Sequence, residues 1–161
     1  MSTADAPLPK PPSVPGPPPA MLVVQAPYYK DVAEGLLWGA RQILDTVGGA
    51  VDVLDVAGSL ELAQAIRLAL RGPRRWDGFV ALGCVVRGGT DHYEYVCRSA
   101  MDGLMQVALQ FGVALGTGLL TVHSVEQAVV RSGRDGHNKG AEAAVAALMQ
   151  VAVARRVESW S

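Results

Sequence analysis

Residues 87–96 read RGGTDHYEYV and follow an apolar run, FVALGCVV, at residues 79–86. Gly88 and Gly89 let the backbone approach a ligand closely and permit positive φ. Thr90 or Asp91 can cap a helix, and Asp91 with Glu94 fits a capping box. Unpaired N–H groups at a helix start bind phosphate readily. The same positive end disfavours an imidazolium, so His92 in the first turn suits a neutral general base. The stretch is therefore either a plain strand-to-helix turn with an exposed histidine, or an anion site with a proton carrier beside it. Gly, Thr and Asp are turn and cap residues anyway, so taken alone it favours the plain turn.

Other chemical templates fail. No GxxxxGK[ST] phosphate loop occurs, and Gly116-Thr117-Gly118 lacks the third glycine of a dinucleotide fingerprint. Gly58-Ser59-Leu60 is not a GxSxG elbow, which argues against a serine nucleophile. His92, His123 and His137 have no metal-ligand spacing and no cysteine pair nearby, so no metal is expected. Tyr28 and Tyr29 are either core aromatics or a surface for a flat heterocycle. Glu61 either caps the following helix or accepts hydrogen bonds from a ligand.

These residues need elements to position them. Apolar runs at residues 22–26, 79–86 and 113–121, and the alternating AVDVLDV at 50–56, read as strands. Leu36, Ala40, Ile43, Leu44 and Val47 recur at helical spacing, as do Leu62, Ala63, Ile66 and Leu70. Residues 91–111, 125–131 and 141–153 give three more helices, the last two separated by the polar turn SGRDGHNKG. Strand and helix alternate about four times. That predicts an α/β three-layer sandwich: a four-stranded, mainly parallel sheet with helices on both faces. Ligands of such sheets bind outside the carboxyl ends of the strands, where PYYK, AGSLE and RGGTDH all fall.

Bulk properties bound the rest. With 161 residues, half of them hydrophobic, the chain suits one domain with a real core. Ten prolines crowd mainly into residues 1–20, which read as a disordered, extended arm before a single domain at 21–161. A PxxP ligand for a partner is the lesser reading of that arm. A net charge of −1 argues against a nucleic-acid partner or an anionic membrane surface. No apolar run approaches the roughly 18 residues of a membrane span. The start lacks a secretory pattern, and Cys84 and Cys97 read as reduced thiols, so a cytoplasmic protein is expected.

Taken in order, the loops resemble lumazine synthase. The resemblance covers about residues 22–153. It rests on GCVVRGGTDHYEYV (83–96), LLTVHSVEQAVVRSG (119–133) and NKGAEAAVAAL (138–148), with weaker matches in PYYKDVAEGLLWGA (27–40) and VAGSLE (56–61). It implies a flavodoxin-like fold and a cofactor-free transferase of riboflavin biosynthesis. The reaction implied is condensation of 5-amino-6-(D-ribitylamino)uracil with 3,4-dihydroxy-2-butanone 4-phosphate. An imine forms, phosphate leaves, and ring closure with loss of water gives 6,7-dimethyl-8-ribityllumazine. By the resemblance His92 is the acid/base, Gly89 and Thr90 form the phosphate loop, and Arg131 pairs with the phosphate. Tyr28 stacks on the pyrimidine, and Ser59, Leu60 and Glu61 hold the ribityl chain and ring. Cys84, Val85 and Val86 offer backbone hydrogen bonds to the pyrimidine. Lys139 and Glu142 support the phosphate and the histidine.

The resemblance also implies a homo-oligomer: a pentamer with sites between neighbours, Thr117 and Arg131 being supplied across the interface. The turn at 132–140 carries no extra residues, which permits paired pentamers or an icosahedral 60-mer. Four positions depart from the family pattern: Ala57 replaces the usual proline, Tyr29 an asparagine, Thr117 a bulky aromatic and Val130 an acid. They leave room for an alternative, a catalytically weak or inactive paralogue that binds flavin or lumazine or forms a shell.

Overall fold

A computed structural model of the chain describes residues 7–135 and 137–160. The first six residues of the arm, Gly136 of the polar turn and Ser161 lie outside the described residues. Four strands, β1 (Met21–Gln25), β2 (Val51–Asp55), β3 (Gly78–Val86) and β4 (Ala114–Val122), form one sheet in the order β2-β1-β3-β4. Every pairing is parallel. Five α-helices accompany them: α1 (Lys30–Leu44), α2 (Glu61–Ala69), α3 (His92–Phe111), α4 (Val125–Arg131) and α5 (Lys139–Glu158). A single turn of 3-10 helix, Asp45–Val47, extends α1.

Sequence decides which strands are central. β1 and β3 are apolar except for Gln25 and are buried on both faces, apart from the last two residues of β3. β2 carries Asp52 and Asp55 among its valines and leucine and lies at an edge. Successive strand side chains point to opposite faces. Met21, Val23, Val80 and Leu82 therefore meet Leu36 and Ala40 of α1 and Ala144 and Leu148 of α5. Leu22, Val24, Phe79 and Ala81 meet Leu62 and Ile66 of α2 and Leu104 of α3. Each fully buried valine, leucine, isoleucine, phenylalanine or methionine among them contributes about 1.5–3 kcal/mol relative to exposure.

Small residues set the spacing on the α1/α5 face. A Cβ added at Gly116 would overlap the carbonyl oxygen of Ala143, and one at Gly140 the carbonyl oxygen of Leu36. Helix α5 thus lies directly against β4 and against α1, closer than any side chain would allow.

Two helix starts differ from expectation. Asp91 precedes α3 in the αR region (φ −69, ψ −5) and makes no side-chain cap bond. A capping side chain needs an extended backbone, so the capping box is not formed. Glu94 instead accepts a hydrogen bond from Arg87 Nη2 at 3.4 Å. Helix α5 begins two residues earlier than its apolar periodicity suggests and runs five residues further. Its cap is Asn138, extended at φ −80, ψ 127.

Residues 7–20 contain no helix or strand. Arg155 Nη1, in the last turn of α5, donates to the carbonyls of Pro15 (2.7 Å) and Pro17 (2.6 Å). Its Nη2 binds Asp77 Oδ1 at 2.8 Å, and Asp77 Oδ2 accepts from Ala20 N. Val14 packs on the core. Among the described residues, no helix is long and apolar enough to cross a membrane.

Candidate active site

The chain runs from β1 out to β2 and then crosses to the other side, so the sheet order reverses between β1 and β3. At such a switch point the connections diverge to opposite faces and leave a crevice beyond the strand ends. A cleft of about 320 Å³ lies there, lined by Tyr28, Tyr29, Gly58, Ser59, Leu60, Glu61, Cys84, Val85, Val86, His92 and Val96. Its walls come from the segment after β1, the start of α2, the end of β3 and the first turn and a half of α3.

Eight residues singled out from the sequence meet in this cleft: Tyr28, Ser59, Leu60, Glu61, Cys84, Val85, Val86 and His92. His92 is the first residue of α3 and is exposed, so a ligand can reach its imidazole. Ser59 is nearly buried at 9 % exposure, and Glu61 opens α2 half-buried. Tyr28 stands at the mouth with 76 % of its surface exposed, its ring edge-on to Tyr29. Polar groups of Ser59, Glu61 and His92 therefore surround an apolar floor, an arrangement able to hold a flat polar ligand and pass it a proton.

Burial, with a smaller contribution from Cys97, pushes the Cys84 thiol up to about 11. It stays protonated at neutral pH and is a weak nucleophile, since the thiolate is the reactive form. Alkylation of Cys84 by iodoacetamide should be slow at pH 8 and accelerate only above about pH 10. Mass spectrometry of the modified peptide checks this; rapid labelling at pH 7 would contradict it.

The remaining singled-out residues lie elsewhere on this chain. Gly89 and Thr90 are exposed in the loop between β3 and α3, and a Cβ at Gly88 or Gly89 would meet open space. Neither glycine has positive φ, so their value is clearance rather than strain relief. Arg131 ends α4, its Nη1 donating to the Gln127 carbonyl at 2.9 Å. Lys139 and Glu142 form an ion pair at 2.5 Å in the first turn of α5, so the carboxylate expected to orient His92 is engaged by lysine. Thr117 lies on β4 in a separate groove with Met101, Met105 and Val153.

The sequence model of the 6,7-dimethyl-8-ribityllumazine synthase family matches residues 19–155. The chain belongs to this family. It is 41 % identical over 141 residues to 6,7-dimethyl-8-ribityllumazine synthase of Afipia carboxidovorans, spanning 85 % of the chain and 86 % of that relative. It is also 41 % identical over 143 residues to the synthase of Paramagnetospirillum magneticum, covering 85 % and 95 % of the two chains. The protein named 6,7-dimethyl-8-ribityllumazine synthase 1 of Rhizobium meliloti is 41 % identical over 141 residues, covering 85 % and 92 %.

Two cleft residues were not singled out from the sequence, Gly58 and Val96, and Tyr29 was weighed only beside Tyr28 as a stacking surface or a core aromatic. Val96 is one helical turn after His92, a spacing that could have flagged it. Nothing local marks Gly58 beyond its place in the AGSLE loop.

Proposed function

We propose that the chain condenses 5-amino-6-(D-ribitylamino)uracil with 3,4-dihydroxy-2-butanone 4-phosphate to 6,7-dimethyl-8-ribityllumazine in riboflavin biosynthesis, releasing phosphate and water. The observation that carries this reading is His92 in one cleft with Tyr28, Ser59 and Glu61, at the sheet's switch point, in a chain of this family. The pyrimidine lies against Tyr28, with its polar edge on the backbone of residues 84–86. The ribityl chain follows Ser59–Glu61. His92 moves protons as the amine attacks the ketone, water leaves to give the imine, phosphate departs and the ring closes with loss of a second water. Gly89 and Thr90 offer backbone and hydroxyl donors to the phosphate beside the positive end of α3.

The phosphate cation in this reading comes from a neighbouring copy, as Arg131 is not among the residues lining the chain's own cleft. A band of apolar surface supports such contacts: Met105, Leu109, Met149 and Val153 are each more than half exposed. A closed pentamer, alone or in larger shells, satisfies a heterologous contact of this kind. Arg131→Ala should raise KM for the phosphate substrate about tenfold, the worth of one charge-assisted pair, and alter KM for the pyrimidine far less. An unchanged phosphate KM would remove Arg131 from the site.

The direct test is turnover by purified protein with both substrates, followed by lumazine absorbance. Binding of lumazine without turnover would instead favour the paralogue reading, for which the substitutions at Tyr29 and Thr117 speak.

A further inference from the structure

We propose that Tyr29 is a positioning residue that braces the Tyr28 ring as the flat wall for a heteroaromatic ligand. The proposal rests on the cleft's assignment as the pyrimidine site above. Tyr28 follows Pro27 and projects at the cleft mouth with 76 % exposure. A ring so exposed explores several rotamers, and stacking a ligand on it costs the entropy of fixing it. Tyr29 meets that ring with centroids 5.1 Å apart and planes at 67°, the edge-to-face geometry that aromatic pairs prefer.

Tyr29 is itself held at both ends. Its extended backbone (φ −99, ψ 95) starts α1, and its carbonyl accepts from Ala33 N at 2.9 Å. Its half-buried ring packs on the core cluster that contains Val32, Leu36 and Cys84. The exposed ring is thus tied to the core through one anchored neighbour. An asparagine, the usual residue at this position in the pattern the chain resembles, offers no ring edge. Burial, then Cys84, then Tyr28 raise the Tyr29 hydroxyl above its ordinary value, so it stays protonated near neutral pH.

The test is a double-mutant cycle on the full chain, with KM measured for each substrate in wild type, Tyr28→Ala, Tyr29→Ala and the double variant. A brace predicts that Tyr29→Ala raises KM for the pyrimidine about three- to tenfold, the range for an aromatic pair, and leaves KM for the phosphate substrate within about twofold. Tyr29→Phe should behave as wild type, because the ring edge is kept. In the Tyr28→Ala background, Tyr29→Ala should add nothing. Additive effects would mean that Tyr29 touches the ligand itself, and equal rises in both KM values would mean general damage; either overturns the brace, as would Tyr29→Phe matching Tyr29→Ala. Should Tyr29→Ala not fold, Tyr29→Leu keeps the apolar contact with the core, removes the ring edge and carries the same expectations. A wild type without turnover would defeat the proposed reaction rather than the brace. The cycle is then read in the Kd of riboflavin by fluorescence quenching, with the same three- to tenfold shift and non-additivity expected, and an unshifted Kd overturning it.

Discussion

His92→Ala should lower kcat by about a hundredfold or more, the usual loss when a positioned general acid–base is removed, while the fold and assembly persist. The side chain is exposed at the start of α3 and belongs to neither core cluster. Truncation therefore leaves no buried void. KM for the phosphate substrate should change little, since in the proposed site the phosphate is held by the loop at Gly89 and Thr90 and by Arg131. The measurement is steady-state lumazine formation, with circular dichroism as the control for folding. A variant that kept wild-type kcat would move the proton carrier elsewhere, and Glu61 is the next ionisable group on the cleft wall.

Asn138→Ala should cost about 3 kcal/mol of stability, combining a lost helix cap with the loss of two amide hydrogen bonds from a buried side chain. Asn138 is 1 % exposed and uses both ends of its amide. Its Oδ1 accepts from the backbone N–H of Gly140 (2.8 Å) and Ala141 (3.2 Å). Its Nδ2 donates to the carbonyls of Gly35 (2.8 Å) and Gly133 (2.9 Å). One side chain thereby starts α5, closes the turn after α4 and docks α1. Asn138→Asp separates these roles. Aspartate is a good cap, so a residue that only capped α5 would be rescued by it. Here the second oxygen would face two carbonyls, and Asn138→Asp should destabilise about as much as alanine. Urea midpoints at one fixed protein concentration measure both variants; rescue by aspartate would show that the bonds to Gly35 and Gly133 carry little weight.

The regular elements were legible because their signals are local. The β3 run at 79–86 appears one residue longer, starting at Gly78, and α4 at 125–131 appears with the expected bounds. The sheet order needs pairing between distant segments, which periodicity does not encode. Caps were less legible. Asp91 and Glu94 have the right residue types, yet the backbone at Asp91 is helical and the box does not form. Asn138 sat unnoticed inside SGRDGHNKG, because part of its value lies in a carbonyl of α1 about a hundred positions away. The cleft itself divided in the same manner. Residues at strand ends and helix starts converge because the topology brings those ends together. Arg131 and Thr117 lie outside it, and a single chain has no pattern that says which surface a second copy would cover.

The clasp made by Arg155 has a practical side. It fixes Pro15 and Pro17 beside Asp77, just before the first residue of β3, while the cleft opens beyond that strand's last residue. Nine residues of strand span about 30 Å. A purification tag or passenger protein joined after α5 would start from the end of the sheet remote from the cleft, about one strand length from the point of substrate entry.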